Sequence, residues 1–256
     1  MSRKRRTAAD EPFLLVRTST SDQRGSIAAH THDWHQLIYV RSGLMSVRTT
    51  AGSWIAPPTW AVWVPAGVEH AIRFVGDSAL RTCYLRPGFG SSLPAACRAL
   101  VVSPLLRELI VRATEVGLLD ERDPVEAALA LLIADELVLA SASPSMPPFT
   151  LPEPIGPATS TAARLIADGA PDAAGTARLA RAVGVSPRTL ERRFQAETGM
   201  TLGRWRQHRL LLCGLEHIAA GGSVAEAAVA SGYASPSGYI AAFRKAFAAT
   251  PGRYFR

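Results

Sequence analysis

Cysteine is scarce in this chain, and no pair is spaced for a covalent or metal-bound framework. The 256 residues include three cysteines, Cys83, Cys97 and Cys213, which lie far apart and form no C-x-x-C pair. This spacing argues against a disulfide scaffold and against a cysteine-rich zinc site. We expect the three thiols to be small buried side chains in a reducing compartment.

Long apolar runs are also missing. No stretch reaches the ~18 residues of a membrane-spanning helix, and the best candidate, residues 127–140, is interrupted by Asp135 and Glu136. The basic N-terminus is followed by Thr-Ala-Ala-Asp-Glu-Pro, not by the apolar segment of a secretory signal. The sequence predicts a cytoplasmic protein with no membrane partner, in which residues 1–10 form a flexible basic tail.

Acidic residues are under-represented in one part of the chain only. Residues 158–256 hold 13 Lys and Arg against 6 Asp and Glu, whereas residues 1–157 hold 15 of each class. A neutral part joined to a cationic part indicates a polyanionic partner, most often nucleic acid. On charge alone, a solvated basic face is the alternative.

Short apolar runs separated by turn residues fill residues 11–93. The runs cover residues 13–16, 37–40, 44–47, 61–64, 71–75 and 80–85. Many short strands at this spacing predict a barrel or jelly roll. Five aromatic side chains here predict an effector pocket, with a plain hydrophobic core as the alternative. They are Trp34, Tyr39, Trp54, Trp60 and Trp63.

Residues 94–141 change to helical spacing of apolar side chains. They predict two amphipathic helices with a break near residues 117–124, which pack on the barrel or form the seam of a homodimer. Residues 142–157 are rich in proline, and we interpret them as a stiff linker before a second domain, residues 158–256.

The second domain contains an internal repeat. Ser186-Pro-Arg-Thr-Leu-Glu-Arg-Arg-Phe matches Ser235-Pro-Ser-Gly-Tyr-Ile-Ala-Ala-Phe. Each copy begins with a Ser-Pro helix start and follows a glycine that is suited to a turn between two helices. Two copies in register predict two helix-turn-helix motifs.

A single helix is predicted between the two motifs. Residues 201–219 give about 28 Å of helix at ~1.5 Å per residue, near the ~34 Å that separates successive major grooves on one face of DNA. Gly214 is expected to weaken this connector, since glycine is a poor helix former.

Residues 178–194, together with Glu197-Thr-Gly, Val229-Ala-Ser-Gly-Tyr and Ala249-Thr-Pro-Gly-Arg-Tyr, resemble the DNA-binding domain of the AraC/XylS family of transcription regulators. The resemblance implies two recognition helices in the major groove and control by a separate N-terminal domain. The base-reading positions that it implies in the first helix are Arg188, Thr189, Glu191 and Arg192. In the second helix they are Pro236, Ser237, Gly238, Ile240 and Ala241.

Family members often carry a long polar or basic residue where Ala241 stands. The second helix is therefore expected to contact mainly phosphate. Arg206 in the connector, and Arg244 and Lys245 late in the second helix, complete the predicted DNA contacts.

The N-terminal part resembles the cupin family in two motifs. His30-Thr-His-Asp-Trp-His-Gln36 with Gly43 is similar to the first motif, and Pro65-Ala-Gly-Val-Glu-His70 to the second. The resemblance implies one divalent transition metal, with His30, His32, Gln36 and His70 as ligands. His30 and His32 are expected to face one side of a strand. Gln36 replaces the usual carboxylate and Phe74 the usual asparagine, so a histidine cluster without metal is the alternative.

Two hypotheses follow for an α+β protein with an N-terminal cupin-like or jelly-roll barrel and an all-α C-terminal domain. The first is a transcription regulator, not an enzyme, whose partners are double-stranded DNA, a small-molecule effector, RNA polymerase and a second copy of the chain. The second is a metal-dependent cupin oxygenase or lyase fused to a DNA-binding domain. The sequence shows no second acid/base set near the histidines, which favours the regulator.

Overall fold

The computed structural model describes residues 14–49, 52–89, 93–142, 150–169, 175–247 and 249–255. The chain divides into two compact units, an N-terminal unit made mainly of residues 1–49 and 54–147 and a C-terminal unit made mainly of residues 148–253. The predicted tail, residues 1–10, lies outside the described residues, as does part of the predicted linker. No helix within these ranges is long and apolar enough to cross a membrane.

The N-terminal unit is an antiparallel β-barrel, as the sequence predicts. Its strands are β1 (Leu14–His30), β2 (His35–Val40), β3 (Leu44–Thr49), β4 (Gly52–Ala56), β5 (Trp60–Val64), β6 (His70–Leu85), β7 (Arg98–Val101) and β8 (Leu118–Asp120). The order β7-β5-β2-β6-β3 forms the main path, β1 pairs with β6, and β8 pairs with β1.

Strand β6 connects the two halves of the barrel. Its first half pairs with β3, from Thr49 opposite His70 to Leu44 opposite Val75, and its second half pairs with β2. The sequence predicted two strands separated by a turn at Gly76-Asp77, and this prediction is wrong. The chain runs on because β1 pairs with β6 on both sides of Gly76, which takes a positive φ of 67°.

Two helices pack against one face of the sheet, which is one of the two arrangements that the sequence left open. They are α1 (Pro104–Val116), which begins at the Ser103 cap, and α2 (Pro124–Ala142). Their buried side chains form one core with residues of the sheet, and its members include Leu37, Tyr39, Trp63, Cys83, Leu106, Ile110, Ile133 and Leu137. Strands β7 and β8 were not predicted, because four and three residues are too few to show an alternating pattern.

The C-terminal unit is almost entirely helical. After the short strand β9 (Thr150–Leu151) come α3 (Pro157–Ala167), α4 (Thr176–Ala182), α5 (Pro187–Thr198), α6 (Leu202–Ala219), α7 (Val224–Ala230) and α8 (Pro236–Phe247), and the chain continues to a 3-10 helix (Pro251–Phe255). Leu190 and Phe194 of α5, Trp205 of α6, and Tyr239 and Phe243 of α8 are buried in this unit.

Candidate DNA-binding surface and histidine cluster

The first helix-turn-helix consists of α4 and α5. Gly184 makes the turn with a φ of 69°, and the Ser186 hydroxyl accepts a hydrogen bond from Thr189 N at 3.2 Å, which confirms the predicted cap. Leu190 and Phe194 are fully buried, so the opposite face of α5 is directed to solvent.

That solvent face of α5 carries two of the residues predicted to read bases. Arg188 and Arg192 are both exposed and lie four residues apart, so their guanidinium groups share one side of the helix. Glu191 is half-buried, and so is Thr189, whose hydroxyl lies 2.8 Å from that of Ser186. Among the predicted base-reading positions of α5, Arg188 and Arg192 are thus the long cationic side chains that are exposed to solvent.

The second helix-turn-helix consists of α7 and α8. A capping box opens α7, since Ser223 Oγ accepts from Glu226 N and the Glu226 carboxylate accepts from Ser223 N. Tyr239 and Phe243 anchor α8 in the core. The exposed positions of α8 include Pro236, Ser237, Gly238, Ala241, Arg244 and Lys245, while Ile240 is half-buried.

The solvent face of α8 therefore has no long polar side chain before Arg244. Arginine and lysine at the C-terminal end of the helix match phosphate contact better than base reading. The structure shows an asymmetry between the exposed faces of α5 and α8 that the sequence anticipated at Ala241.

The connector α6 contains 18 residues, and Arg206 lies half-buried on it. Gly214 is buried in this helix, where an added Cβ would overlap the Ser231 hydroxyl and would lie 2.7 Å from the Tyr239 ring. The Tyr239 hydroxyl donates to Leu211 O at 3.1 Å, which places its ring directly over Gly214. Gly214 is thus the contact point that lets α8 pack on α6, and the sequence indicated only its poor helix propensity.

In the N-terminal unit the structure brings the three predicted histidines together. The ring centroid of His30 is 4.3 Å from that of His70, and the His32 centroid is 5.0 Å from that of His70. One ligand atom from each ring lies within 4.8 Å of the others. His70 is buried, whereas His30 and His32 are half-buried.

The backbone positions of His30 and His32 differ from the prediction. His30 is the last residue of β1, and His32 lies in the loop before β2, so the two do not share a strand face. His32 O accepts a hydrogen bond from Gly67 N at 2.9 Å, which ties the loop to the Pro-Ala-Gly turn of the second motif. A contact between the two motifs therefore positions His32.

Backbone carbonyls determine which nitrogen of each imidazole carries a proton. Nδ1 of His30 lies 2.9 Å from Ala28 O, Nδ1 of His32 lies 2.5 Å from Trp34 O, and Nδ1 of His70 lies 3.0 Å from Val68 O. Because a carbonyl only accepts, Nδ1 donates in every case. Each Nε2 of a neutral ring is then a bare lone pair.

The amide of Gln36 presents its oxygen to two of these lone pairs. Gln36 Oε1 lies 2.9 Å from Nε2 of His32 and 2.9 Å from Nε2 of His70. Its Nε2 donates at 3.0 Å to the Thr82 hydroxyl and at 3.0 Å to the Tyr84 hydroxyl. Thr82 itself donates to Leu37 O, so its oxygen accepts from the amide and fixes the orientation of Gln36.

The Nε2 lone pairs of His32 and His70 and the Gln36 oxygen repel one another unless a hydrogen-bond donor or a cation lies between them. Burial lowers the pKa of His70 most strongly, and the neighbouring His30 and His32 add to this effect against the hydrogen bond to Val68. An imidazolium is therefore disfavoured at His70, where the surroundings oppose a proton. Nitrogen and amide oxygen donors without a carboxylate match the ligand preferences of borderline transition metals such as Zn, Ni or Cu.

The five predicted pocket aromatics do not line one surface. Tyr39 and Trp63 are completely buried in the core beneath α1 and α2. Trp60 lies on the face of the β2–β5 pair that is opposite to Tyr39 and Trp63, because alternate residues of a strand point to opposite sides. Gln36 lies on the same face as Trp60. Trp54 is buried in β4. Trp34 is half-buried, and the Arg17 guanidinium carbon lies 3.8 Å from its ring centroid.

Sequence reasoning missed Arg17, Thr82 and Tyr84. Arg17 is opposite Tyr84 in the β1–β6 pair, and Tyr84 is opposite Gln36 in the β2–β6 pair, so the three side chains form a row on one face. The Tyr84 ring meets that of His32 edge-on at 5.2 Å. These residues carry no local motif, and only the pairing of three strands brings them to the cluster.

Two family models match the chain. An "AraC-like ligand binding domain" model matches residues 13–134, and a "Helix-turn-helix domain" model matches residues 179–256. Among curated proteins, the HTH-type transcriptional regulator NimR of Escherichia coli K12 is 30% identical over 227 residues, which cover 88% of this chain and 81% of the relative.

Solved structures give weaker matches. Fatty-acid-bound ToxT from Vibrio cholerae is 13% identical with a TM-score of 0.38, over 95% of each chain. An AraC-type regulator from Chromobacterium violaceum is 24% identical with a TM-score of 0.36, over 38% of this chain and 88% of that one. The family assignment rests on the models and on the 30% identical relative. This chain belongs to the AraC-type family of helix-turn-helix transcription regulators, with an N-terminal ligand-binding domain and a C-terminal DNA-binding domain.

Proposed function

We propose that this regulator binds one divalent transition metal at the histidine cluster and that a small ligand bound at this metal controls DNA binding. The observation that carries the proposal is the convergence of His Nε2 lone pairs on Gln36 Oε1 at 2.9 Å. His30, His32, Gln36 and His70 would hold the ion. The Nδ1 hydrogen bonds to carbonyls orient the rings, as is usual for metal-ligating histidines.

The metal would bring charge and an exchangeable ligand position to the site. Because all four protein ligands are neutral, a bound ion keeps its full +2 charge. The Arg17 guanidinium lies along the same strand row, next to Tyr84. Both features favour a small anionic or chelating effector, and Trp34 and Trp60 supply apolar surface for the rest of it.

Metal content decides this proposal. Protein purified without a His-tag or chelator should contain metal or take it up from Ni²⁺, Fe²⁺ or Zn²⁺, and His30→Gln should reduce uptake. Gln36→Glu is the matched variant: it supplies the missing carboxylate and should tighten binding. Less than about 0.1 metal per chain, with no uptake on addition, would contradict the metal site.

Recovery of the bound ligand separates the sensor from the enzyme alternative. A regulator that senses its effector should release it unchanged after incubation with the full chain. Chemical conversion of the ligand at the metal would instead support the cupin enzyme hypothesis.

We further propose that DNA is read chiefly by α5. Arg188 and Arg192 present the donor pattern that pairs bidentately with guanine, whereas α8 presents small side chains followed by Arg244 and Lys245. In this arrangement α5 supplies most of the sequence discrimination. Arg206, Arg244 and Lys245 supply sequence-independent attraction to phosphate.

A homodimer is proposed through the outer face of α2. Val125, Leu132 and Leu139 are 75%, 49% and 57% exposed and recur every seven residues. Ala128 and Asp135, also exposed, occupy the intermediate positions, which completes a heptad seam. A parallel pair in register sets two Asp135 carboxylates against each other. An antiparallel pair centred near Leu132 separates them by about 9 Å.

A further inference from the structure

The last residues of the Pro-rich segment are attached to α5 by one carboxylate. Near the C-terminal end of α5, Glu197 Oε2 accepts hydrogen bonds from Ile155 N at 3.0 Å, Gly156 N at 2.9 Å and the Thr159 hydroxyl at 2.6 Å. The cap residue of α3, Gly156, has no side chain that could satisfy the helix N-terminus. Glu197 therefore caps α3 from another helix, with its charge at the positive end of the α3 dipole.

The fit around this carboxylate is close. A Cβ on residue 156 would lie 2.6 Å from Glu197 Oε1 and 2.8 Å from the Thr159 hydroxyl, so glycine is required for the approach. Partial burial alone raises the pKa of Glu197. The hydrogen bonds from Thr159, Gly156 and Ile155, together with the charge of Arg193, outweigh this effect and lower the pKa below its usual value.

A second anchor lies a few residues upstream. The Trp205 indole of α6 donates to Pro152 O at 2.8 Å, and its ring meets Phe194 of α5 edge-on at 5.3 Å. Pro154 between the two anchors is buried. Residues 152–156 are therefore built into the C-terminal unit, attached to α5 at one end and to α6 at the other.

We propose that Glu197 is a positioning residue for DNA recognition. By clamping residues 152–156 and the start of α3 to the end of α5, it holds the helix that carries Arg188 and Arg192 in its binding position before DNA arrives. Without the clamp, α5 would become fully ordered only on binding DNA, and the entropy cost of that ordering would reduce the affinity.

The test uses the full chain and a duplex that the wild-type protein selects from a random DNA library. Glu197→Gln and Thr159→Val should each weaken binding to this duplex about three- to tenfold, the range expected for loss of a helix cap. Binding to a scrambled duplex should change little, which distinguishes positioning from general destabilisation. Asp168→Asn, at the other end of α3, removes the same charge without a clamp contact and should leave both affinities unchanged.

Two further measurements keep the proposal falsifiable if one variant folds poorly. Amide hydrogen exchange at Ile155 and Gly156 should accelerate in Glu197→Gln. The double variant Glu197→Gln/Thr159→Val should bind the selected duplex no more weakly than Glu197→Gln alone, because both substitutions break the same clamp. Lost amide protection with unchanged affinity for the selected duplex would overturn the positioning role. Additive losses in the double variant would also overturn it.

Discussion

Arg188 and Arg192 are the residues whose loss should most change DNA recognition. Arg188→Ala or Arg192→Ala should cost about 1–3 kcal/mol of binding free energy and relax discrimination at a single base position. Arg244→Ala removes the same charge from α8 and should weaken binding to all sequences alike. Titration of each variant against the selected duplex and its single-base variants measures both effects. A uniform loss for Arg188→Ala and Arg192→Ala would show that α5 does not read bases.

Replacement of Gly214 by alanine has two opposing effects on the free energy of unfolding. Alanine is favoured over glycine in a helix by about 1 kcal/mol, but its Cβ would lie 2.7 Å from the Tyr239 ring. Overpacking of this kind costs about 1–3 kcal/mol, so Gly214→Ala should lower the free energy of unfolding. Gly203→Ala is the matched control, because α6 leaves open space around Gly203. Chemical denaturation checks both, and a stabilised Gly214→Ala would contradict the proposed close packing of α8 on α6.

The histidine cluster shows how far residue-level prediction extends. Motif spacing predicted that His30, His32 and His70 meet, and the structure brings them together. The motifs did not predict that His32 leaves the strand, because a hydrogen bond from Gly67 N, in the turn between β5 and β6, fixes that loop. Gly214 was predicted only to weaken α6, since helix propensity contains no information about a neighbour such as Tyr239.

At the scale of secondary-structure elements, the exposed leucines of α2 predict a dimer interface. Leu132→Glu or Leu139→Glu should dissociate a dimer, since burying a carboxylate in an apolar seam is costly. Leu105→Glu on α1, where the leucine is 52% exposed, is the matched control and should leave the dimer intact. Sedimentation velocity measures the outcome. An unaltered dimer in both α2 variants would place the interface elsewhere.

Crosslinking distinguishes the two orientations of the α2 pair. In a Cys97→Ser background, Leu132→Cys should form a disulfide-linked dimer, whereas Val125→Cys should not, because an antiparallel pair places the two copies of residue 125 far apart. Efficient crosslinking of Val125→Cys would indicate a parallel pair instead.

Secondary-structure elements were predicted well where a local sequence pattern determines them. They were predicted poorly where pairing with a distant strand determines them. Helices α5 and α8 followed from their Ser-Pro starts, and the cap at Ser186 is confirmed. The sequence divided β6 in two at Gly76-Asp77, which has the composition of a turn. Pairing with β1 along both halves overrides that local signal, and no window of the sequence around Gly76 contains it.

At the scale of the whole molecule, charge divides the chain in the same way as the fold. The cationic excess lies in residues 158–256, and the polar cluster of His30, His32, Gln36 and His70 lies in the neutral N-terminal unit. Attraction to DNA and ligand binding are thus assigned to separate units, and residues 152–156 belong to the second of them.

Selection from a random duplex library tests the central claim most directly, namely that the two helix-turn-helix motifs recognise DNA unequally. The full chain should enrich one well-specified block of bases, with a weakly specified block about 10 base pairs away. Arg188→Ala or Arg192→Ala should degrade the well-specified block. Two equally specified blocks, or a specified block that neither substitution alters, would contradict the account.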